Sequence, residues 1–377
     1  MNTAYDDAVV GAGILGLAHA YHLARRGRRV LVVERNPVAR GASVRNFGML
    51  WPIGQPAGPM RQLALRSLDI WHEVLAAAAV WHARSGSLHV AYHDDEATVL
   101  QEFAAATTDM AVSLLTPRQV RERAPAVRAD GLQIGLWSPT ETIVDPRRII
   151  AALPNWLART LGVHFRFGRT VTHYDPPRVR AGDQNFSAAR LWVCAGDDLQ
   201  TLFPETLQAQ SLIRCKLQMT RSQAYGDGFH LGPALAAGLT LRHYPAFAQC
   251  TSLPALERRI AAQSPEFDRY GIHVMVAQHG DGALVIGDSH EYGQDIEPFD
   301  KPIIDALILG YLNRFLVVPD LQIAARWHGI YVKHPEAPFL VLHPAEGVTA
   351  VTGVGGNGMT FSFGLAERVV REVLGEA

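Results

Sequence analysis

The residues whose spacing indicates chemistry are three glycines and one acid near the start of the chain. Gly11, Gly13 and Gly16 form a G-x-G-x-x-G pattern after a short apolar strand, and Glu34 ends a second strand 18 residues after Gly16. In a strand–helix–strand unit, such glycines allow a tight turn, contact between backbone and pyrophosphate, and close helix packing. The amides at the helix start favour the phosphates. The pattern therefore predicts a bound dinucleotide.

The acid at position 34 limits the choice of dinucleotide. A carboxylate about 20 residues after such glycines typically binds a ribose 2′-hydroxyl, whereas a 2′-phosphate requires a basic residue. Glu34 therefore disfavours NADP, while FAD and NAD both stay open. The alternative is a glycine-rich turn that binds no ligand.

A second glycine-rich stretch lies near the C-terminus. Residues 348–352 are strand-like, residues 361–374 are helical, and four glycines lie between them. Such glycines free the backbone to wrap a flat or anionic group, and the helix start offers N–H donors. A third small turn, Ala195-Gly196-Asp197, follows an apolar strand and can border the same crevice.

Composition and charge exclude several classes of protein. The chain has 377 residues, of which 48% are hydrophobic, which is enough for two domains with a large core. A net charge of −1 gives no reason to propose nucleic acid or an anionic membrane as partner. Three cysteines without a C-x-x-C pattern argue against a disulfide framework and fit a reducing cytosol.

Neither a membrane span nor a secretion signal is expected. The apolar runs are shorter than the roughly 18 residues of a span. Asp6 and Asp7 precede the first strand, where a signal peptide would have a basic region and a long apolar one. We therefore expect a cytoplasmic protein.

The spacing of apolar residues divides the rest of the chain into helix-rich and strand-rich parts. Helical patterns cover residues 17–26, 59–83, 96–106, 117–123, 147–161 and 302–317. After Cys215, strand-like runs follow at 216–222, 272–277, 284–287 and 323–332, with irregular connections at 231–254. This part is expected to form an antiparallel sheet in a separate substrate domain.

Further short motifs lie in order between the two glycine-rich stretches. They are Gly41-Ala42-Ser43…Asn46…Gly48, Leu115-Thr116-Pro117, Val144-Asp145-Pro146-Arg147, Val193-Cys194-Ala195-Gly196, Lys216-Leu217-Gln218, Leu284-Val285-Ile286-Gly287 and Trp327-His328-Gly329. Together these motifs resemble the D-amino-acid oxidase superfamily, and most of all its glycine oxidase and sarcosine oxidase group. The resemblance favours FAD over NAD.

The resemblance implies an α/β fold with two domains. A Rossmann-like FAD-binding domain would be discontinuous, comprising residues 1–85, 143–215 and 320–377. A mixed, largely antiparallel β-sheet domain of residues 86–142 and 216–319 would hold the substrate.

The resemblance also implies the residues that hold FAD. They lie on the turns after the strands and on the loop after the second strand. They are Gly11, Gly13, Ile14, Gly16, Glu34, Arg35, Ala42, Ser43, Asn46, Gly48, Met49, Val171, Ala195, Gly196, Gly329, Gly355, Gly356, Asn357, Gly358, Met359 and Thr360. The cysteine that attaches the flavin in sarcosine oxidases has no counterpart between Tyr311 and Thr360, so non-covalent FAD is expected.

The chemistry implied by the resemblance is oxidation of an amine. A hydride leaves the carbon next to the nitrogen for flavin N5, and the imine is hydrolysed to a carbonyl compound. The protein must desolvate the neutral amine and aim its C–H bond, so no acid–base pair is obligatory. No metal site is expected, because His89 and His93 lie on a strand-like segment.

The substrate's anionic group needs a partner other than the usual arginine. Members of the group typically place an arginine clamp after Trp-x-Gly-x, and here that position is Tyr331. Candidate partners are Tyr331, Lys333, His328, Arg45 and Arg61. A small amine carrying an anionic group is the expected substrate.

The run Arg45-Asn46-Phe47-Gly48-Met49-Leu50-Trp51-Pro52…Gly54-Gln55 resembles one branch of the superfamily. That branch is associated with breakdown of aminophosphonates such as 2-aminoethylphosphonate and its N-methyl form. The alternatives are a glycine, sarcosine or D-amino-acid oxidase, an NAD-linked dehydrogenase, and a non-catalytic FAD-binding subunit of an amine dehydrogenase.

Oxygen is the electron acceptor that the resemblance implies. The lysine that promotes the oxygen reaction in sarcosine oxidases would fall near Val285, which is apolar. Another cation, for instance Lys216 or His273, would have to take its place.

Overall fold

The elements follow the strand–helix–strand order of the first motif and then become strand-rich. The computed structural model describes residues 4–226 and 228–376. Within these residues the strands are β1 Ala4–Val10, β2 Val30–Glu34, β3 Met49–Leu50, β4 His82–Ala83, β5 Ser87–Ala91, β6 Ser113–Leu115, β7 Ile134–Ser138, β8 Thr142–Val144, β9 His164–Phe167, β10 Val171–Asp175, β11 Arg178–Ala181, β12 Gln184–Val193, β13 Ile213–Ala224, β14 Ala234–Ala237, β15 Met275–Gln278, β16 Ala283–Gly287, β17 Glu291–Gly293, β18 Ile323–Lys333, β19 Leu340–Leu342 and β20 Val348–Thr352. The helices are α1 Ile14–Ala24, α2 Pro59–Ala78, α3 Asp94–Ala106, α4 Pro117–Arg123, α5 Pro146–Leu161, α6 Pro204–Gln208, α7 Gly238–Leu241, α8 Leu253–Gln263, α9 Pro265–Arg269, α10 Pro302–Phe315 and α11 Gly358–Leu374.

The first sheet has a parallel centre that is buried on both faces. Its main order is β10-β11-β12-β1-β2-β9, and β20 pairs in parallel with β12. Val9 and Val32 pack with Trp192 toward α1, α2 and α11, while Leu31 and Leu191 face a second apolar cluster. Strands covered on both faces are near-continuously apolar, which explains runs such as Val30–Glu34.

The second sheet is mixed and mostly antiparallel. Its order is β17-β13-β16-β15-β14-β5-β7-β6, and β18 also pairs with β13. Among the described residues, β14–β5 is its only parallel pair. The predicted α/β fold with a second, largely antiparallel sheet is confirmed. Because β18 pairs along β13 from Ile213↔Lys333 to Ser222↔Ile323, residues 323–333 belong to the second sheet, although they lie inside the predicted FAD segment 320–377. The domain division stays a prediction.

Local sequence signals explain where two of the helices begin. Thr116 caps α4 by accepting from the Gln119 amide, and the Gln119 side chain accepts from the Thr116 amide in return. Asp145 caps α5 by accepting from the amides of Arg147 and Arg148. These caps occur at the predicted positions.

Two predictions about secondary structure are wrong. Residues 231–254 were expected to be irregular, but they contain β14 and α7, because Ala234–Ala237 is held as a central strand between β15 and β5 despite the low strand propensity of alanine. The helix expected to reach residue 83 ends at Ala78, since His82–Ala83 pairs with β8. Tertiary packing decides both cases.

Glu141 links the loop after β3 to the second sheet. Its carboxylate is fully buried and accepts hydrogen bonds from the Ile53 amide (3.1 Å) and the Ser87 hydroxyl (2.8 Å). Burial raises the pKa of Glu141 to about 7. An unfolded chain loses this proton at a pH near its ordinary value of about 4.5, whereas the folded chain keeps it to about pH 7.

We predict that Glu141→Gln removes part of the pH dependence of stability. A raised carboxyl pKa stabilises the folded state below about pH 4.5, and that contribution, about 3 kcal/mol, is lost as the pH rises to about 7. Glutamine can keep both contacts without titrating. The free energy of unfolding of the variant relative to wild type should therefore rise between pH 4.5 and 7.5. The exposed Glu122→Gln is the control, and parallel profiles for wild type and Glu141→Gln would contradict the prediction.

Candidate cofactor and substrate site

A large cavity lies where the two sheets meet. Its volume is about 890 Å³, and its lining comes from the first strand–helix turn, the loop 41–47, the C-terminal glycine turn and strands β13 and β18. The two glycine-rich ends of the chain therefore border one space.

Close backbone contacts at the β1–α1 turn require glycine. Gly11 has a φ of +97°, and a Cβ there would lie 2.5 Å from the Cys194 carbonyl oxygen. A Cβ on Gly16 would overlap the Gly11 carbonyl oxygen, so Gly16 supports the turn without lining the cavity. Gly13 and Ile14 line the cavity, and the Ile14 amide donates to Ser43 Oγ at 2.9 Å. The turn thus leaves backbone as the nearest surface to a ligand.

Glu34 is held at the end of β2 by amide donors. It is only 7% exposed and lines the cavity. Its Oε2 accepts from the Ala12 amide and its Oε1 from the Asn36 amide, both at 2.9 Å. Arg35 lines the cavity too, but its guanidinium pairs with Asp198 at 3.1 Å.

The loop after β2 is shaped by one asparagine. Asn46 Nδ2 donates to the carbonyls of Ala42 (3.0 Å) and Ser43 (3.1 Å), and its Oδ1 accepts from the Gly48 amide at 2.8 Å. Ala42, Ser43 and Asn46 line the cavity. Gly48 and Met49 lie behind them, with Met49 buried in β3.

The C-terminal glycine turn brings the start of α11 to the cavity. Gly355, Gly356 and Asn357 form a 3₁₀ turn before Gly358, and these four residues and Met359 line the cavity. No described side chain caps α11, and its first turn has no acid, so its amides favour a negatively charged group. Thr360 is instead buried behind the lining, where its hydroxyl accepts from the Trp51 amide at 3.0 Å.

The remaining predicted cofactor residues lie along the same cavity. Val171 comes from β10, and Ala195 and Gly196 follow β12. Gly329 comes from β18, where a Cβ would lie 3.3 Å from the Arg45 carbonyl oxygen.

Three of the predicted substrate residues form one wall of the cavity. The Tyr331 hydroxyl oxygen lies 3.7 Å from the position of a Cβ on Gly356, and burial raises the pKa of Tyr331 well above its usual range. The Lys333 ammonium lies 5.0 Å from the centre of the Tyr292 ring. Arg45 donates to the His328 carbonyl at 3.2 Å. Tyr331, Lys333 and Arg45 all line the cavity.

Three other candidates do not line the cavity. The His328 side chain lies on the opposite face of β18, where its Nδ1 is 2.8 Å from the Asp300 carboxylate, because successive strand residues face opposite sides. Arg61 is buried against Asp109 and the Gln55 carbonyl. The Lys216 ammonium bonds the Glu297 carbonyl (2.9 Å) and pairs with Asp300 (3.0 Å).

A group of histidines in the same wall was not predicted. His243, His273 and His290 have ring nitrogens within 4.8 Å of one another, and all three line the cavity. Asp288 lies beside them, with a carboxylate oxygen 2.8 Å from His273 Nε2. We call the three histidines the histidine cluster. The run Gly287-Asp288-Ser289-His290 directly after a buried strand was the available signal, since polar residues at a strand end often line sites.

Comparison with known proteins identifies the family. Residues 6–372 match the family DAO, described as FAD dependent oxidoreductase. The chain belongs to this family. FAD is therefore the cofactor, which confirms the prediction and excludes the NAD-linked alternative. The glycine turns and the unpaired start of α11 fit a bound dinucleotide.

Relatives of known activity are similar over part or all of the chain. Monomeric sarcosine oxidase of Streptomyces avermitilis is 28% identical over 204 residues, which cover 52% of this chain and about half (53%) of that protein. Glycine oxidase of Geobacillus kaustophilus is 25% identical over 378 residues, covering 96% of this chain and 91% of that protein.

Solved structures show the same fold. The glycine oxidase structure from Geobacillus kaustophilus has a TM-score of 0.79 at 19% identity and covers all of this chain and 95% of its own. L-proline dehydrogenase from P. horikoshii has a TM-score of 0.80 at 17% identity and covers 99% of this chain and 94% of its own. Within the described residues, no helix combines the length and the apolar character that crossing a membrane requires.

We predict that Glu34→Gln weakens FAD binding about tenfold or more. The substitution removes the negative charge of the carboxylate that would accept from the ribose hydroxyl. It also replaces one carboxylate oxygen by an NH2 group, a donor that faces the Asn36 amide, which is itself a donor. The measurement is the FAD dissociation constant, followed by recovery of free-flavin fluorescence on dilution. Glu73→Gln on the exposed face of α2 is the matched control. Equal dissociation constants for wild type and Glu34→Gln would remove Glu34 from the FAD site.

Proposed function

We propose that the protein oxidises the C–N bond of a small primary or secondary amine that carries an anionic group, and that this group is a phosphonate. The supporting observation is the cavity wall formed by Tyr331, Lys333 and Arg45, which places cations and a hydroxyl near the C-terminal glycine turn. 2-Aminoethylphosphonate and its N-methyl form are the proposed substrates. The proposal also assigns FAD non-covalent binding through the turn residues described above.

The apolar part of the cavity supports reaction of a neutral amine. Leu217 and Met219 of β13 lie in the lining, and they pack with Cys215, Val285 and Tyr331 in one buried cluster. Removing water from an amine favours its uncharged form, because burial disfavours the ammonium. Bound FAD supplies the acceptor for the hydride that the carbon next to the nitrogen loses.

The polar part of the wall supports an anion with several oxygens. A carboxylate is usually held by one arginine fork, and position 331 offers a hydroxyl instead. Separate donors suit a phosphonate, whose three oxygens spread a larger charge in different directions. Lys333 and Arg45 supply positive charge, and Tyr331 supplies a hydroxyl.

Oxygen is the proposed electron acceptor. Val285 is 2% exposed and apolar, and the Lys216 ammonium forms an ion pair with Asp300. Neither residue therefore supplies the cation that would promote the oxygen reaction near the flavin. Of these three residues only His273 lines the cavity, so it is the remaining candidate for the group that promotes the oxygen reaction. The second candidate function is oxidation of an amino acid such as glycine or sarcosine, which the activities of the two relatives favour.

The experiment that tests the function is anaerobic bleaching of the FAD-loaded protein by a panel of amines. The panel contains glycine, sarcosine, D-alanine, 2-aminoethylphosphonate and its N-methyl form. Loss of the yellow absorbance with the phosphonates first would support the proposal. Bleaching by the amino acids alone would establish the second candidate, and bleaching by no amine would indicate a non-catalytic subunit.

We predict that Lys333→Met raises KM for the phosphonate substrate at least about tenfold, with a smaller effect on kcat. A charge-assisted contact contributes about 1.5–3 kcal/mol to binding, and methionine keeps the length of the side chain without its charge. Steady-state kinetics of flavin reduction measure the effect. Lys301→Met is the control, because Lys301 pairs with Glu291 outside the cavity lining. An unchanged KM in Lys333→Met would take Lys333 out of the anion site.

A further inference from the structure

The histidine cluster is assembled from three separate connections of the second sheet. His243 follows α7, His273 precedes β15, and His290 follows β16. The backbones of His273 and Asp288 exchange two hydrogen bonds (3.2 and 2.7 Å), which fixes these two residues side by side. The centre of the His243 ring lies 3.9 Å from the centre of the His273 ring and 4.3 Å from that of the His290 ring. The cluster is therefore a built feature of the wall rather than a loose surface group.

One ring nitrogen of the cluster has no hydrogen-bond partner among the described residues. His273 is 3% exposed, and its Nδ1 has no hydrogen-bond partner among the described residues. His290 Nδ1 has the Gly271 carbonyl at 3.1 Å. Buried polar atoms are nearly always satisfied in folded proteins, so an unpartnered nitrogen on a residue that lines the cavity indicates a partner outside the described protein atoms.

The ring geometry favours a ligand with several oxygens over a metal ion. The three ring planes lie within 31° of parallel, with centres 3.9–5.0 Å apart. A metal ion needs lone pairs that converge on one point at about 2.1 Å. Each lone pair lies in the plane of its own ring, so rings stacked in this way hold their lone pairs in separate planes that do not converge on one metal ion. The oxygens of a tetrahedral acid group point in different directions, so they can contact nitrogens that lie in separate planes.

The electrostatics of the wall couple the binding of an anion to the protonation of two histidines. Burial, with repulsion from the neighbouring imidazoles, holds the pKa of His243 well below its usual range, and burial lowers the pKa of His290 to about 4. Protons therefore stay on these rings only when negative charge enters. Tyr292 lies near both Lys333 and the cluster. The Lys333 ammonium is 5.0 Å from the centre of the Tyr292 ring, and that centre is 6.0 Å from the centre of the His290 ring.

We infer that the histidine cluster binds the phosphonate group of the substrate as a dianion and takes up protons as it does so. This inference rests on the proposed function and names the group that the polar wall recognises. The titratable and charged groups that face the cluster are Asp288, Lys333, Arg242, Tyr244, Tyr292, Tyr331 and Cys215. Arg242 is paired with Asp268, and Asp288 is the acid that contacts His273.

The test uses inorganic phosphate as the probe, because phosphate shares the tetrahedral oxygens and charge but has no amine. Calorimetric titration of the FAD-loaded protein at about pH 8.5, where inorganic phosphate is already a dianion, in two buffers of different ionisation enthalpy, gives the dissociation constant and the number of protons that the protein takes up. We expect uptake of protons by the wild type. We also expect binding at least about tenfold weaker in His273→Gln and His290→Gln, with less uptake in His290→Gln.

His173→Gln is the matched control, because His173 is exposed on β10 and does not line the cavity. It should bind phosphate as the wild type does. Melting temperature and FAD content check that each variant is folded. If His273→Gln or His290→Gln does not fold, the half-buried His243→Gln takes its place with the same expectation.

Two results would overturn the inference. One is phosphate binding without proton uptake and unchanged by the substitutions. The other is a stoichiometric metal ion, found by elemental analysis of the purified protein and lost in His273→Gln. Amine bleaching separates this test from the proposed function. Bleaching by 2-aminoethylphosphonate with unaltered KM in His273→Gln would reject the inference alone. Phosphate binding at the cluster without bleaching by any amine would reject the function alone.

Discussion

The lack of a side chain at Gly11 is the constraint on which the cofactor end of the molecule depends. The Cys194 carbonyl oxygen occupies the space that a Cβ would need, so the turns after β1 and β12 touch through backbone alone. Because β1, β12 and β20 are parallel neighbours, their carboxyl ends bring three small-residue turns to one edge of the sheet. The proposed position of the dinucleotide site therefore follows from the order of strands as much as from the glycine pattern.

Strand β18 joins this edge to the cavity wall that contains Tyr331, Lys333 and Arg45. It pairs with β13 along its length, while Lys333 forms a bridge with Val354 and the Trp327 indole donates to the Arg45 carbonyl at 3.2 Å. The C-terminal glycine turn, the loop after β2 and the second sheet are thus held against one another. Side chains on one face of β18 must enter the space beside the turn, and this is why Tyr331 packs next to Gly356.

The extent of what the sequence could predict follows from the range of each interaction. Glycine spacing and helix caps are local, so the first turn and the starts of α4 and α5 were predictable. The separation of His328 and Tyr331 was local too: residues three apart on a strand face opposite sides, so only one of them could enter the cavity. The histidine cluster depends on three connections up to 47 residues apart and on β14, whose alanines carry little strand signal, and no local pattern brings them together.

Under the proposed function, two opposite demands for protons meet in one cavity. The amine must lose its ammonium proton before hydride leaves the adjacent carbon. The apolar part of the cavity, at Leu217 and Met219, favours that loss. Under the further inference, the bound phosphonate is stabilised when His243 and His290, which burial keeps neutral, gain protons. A zwitterionic substrate can satisfy both demands at once, because the proton released by the nitrogen equals the one that a cluster imidazole needs. The transfer of one proton from the amine to a cluster imidazole would then both stabilise the bound acid group and activate the amine. No separate catalytic base would be needed in the apolar part of the cavity.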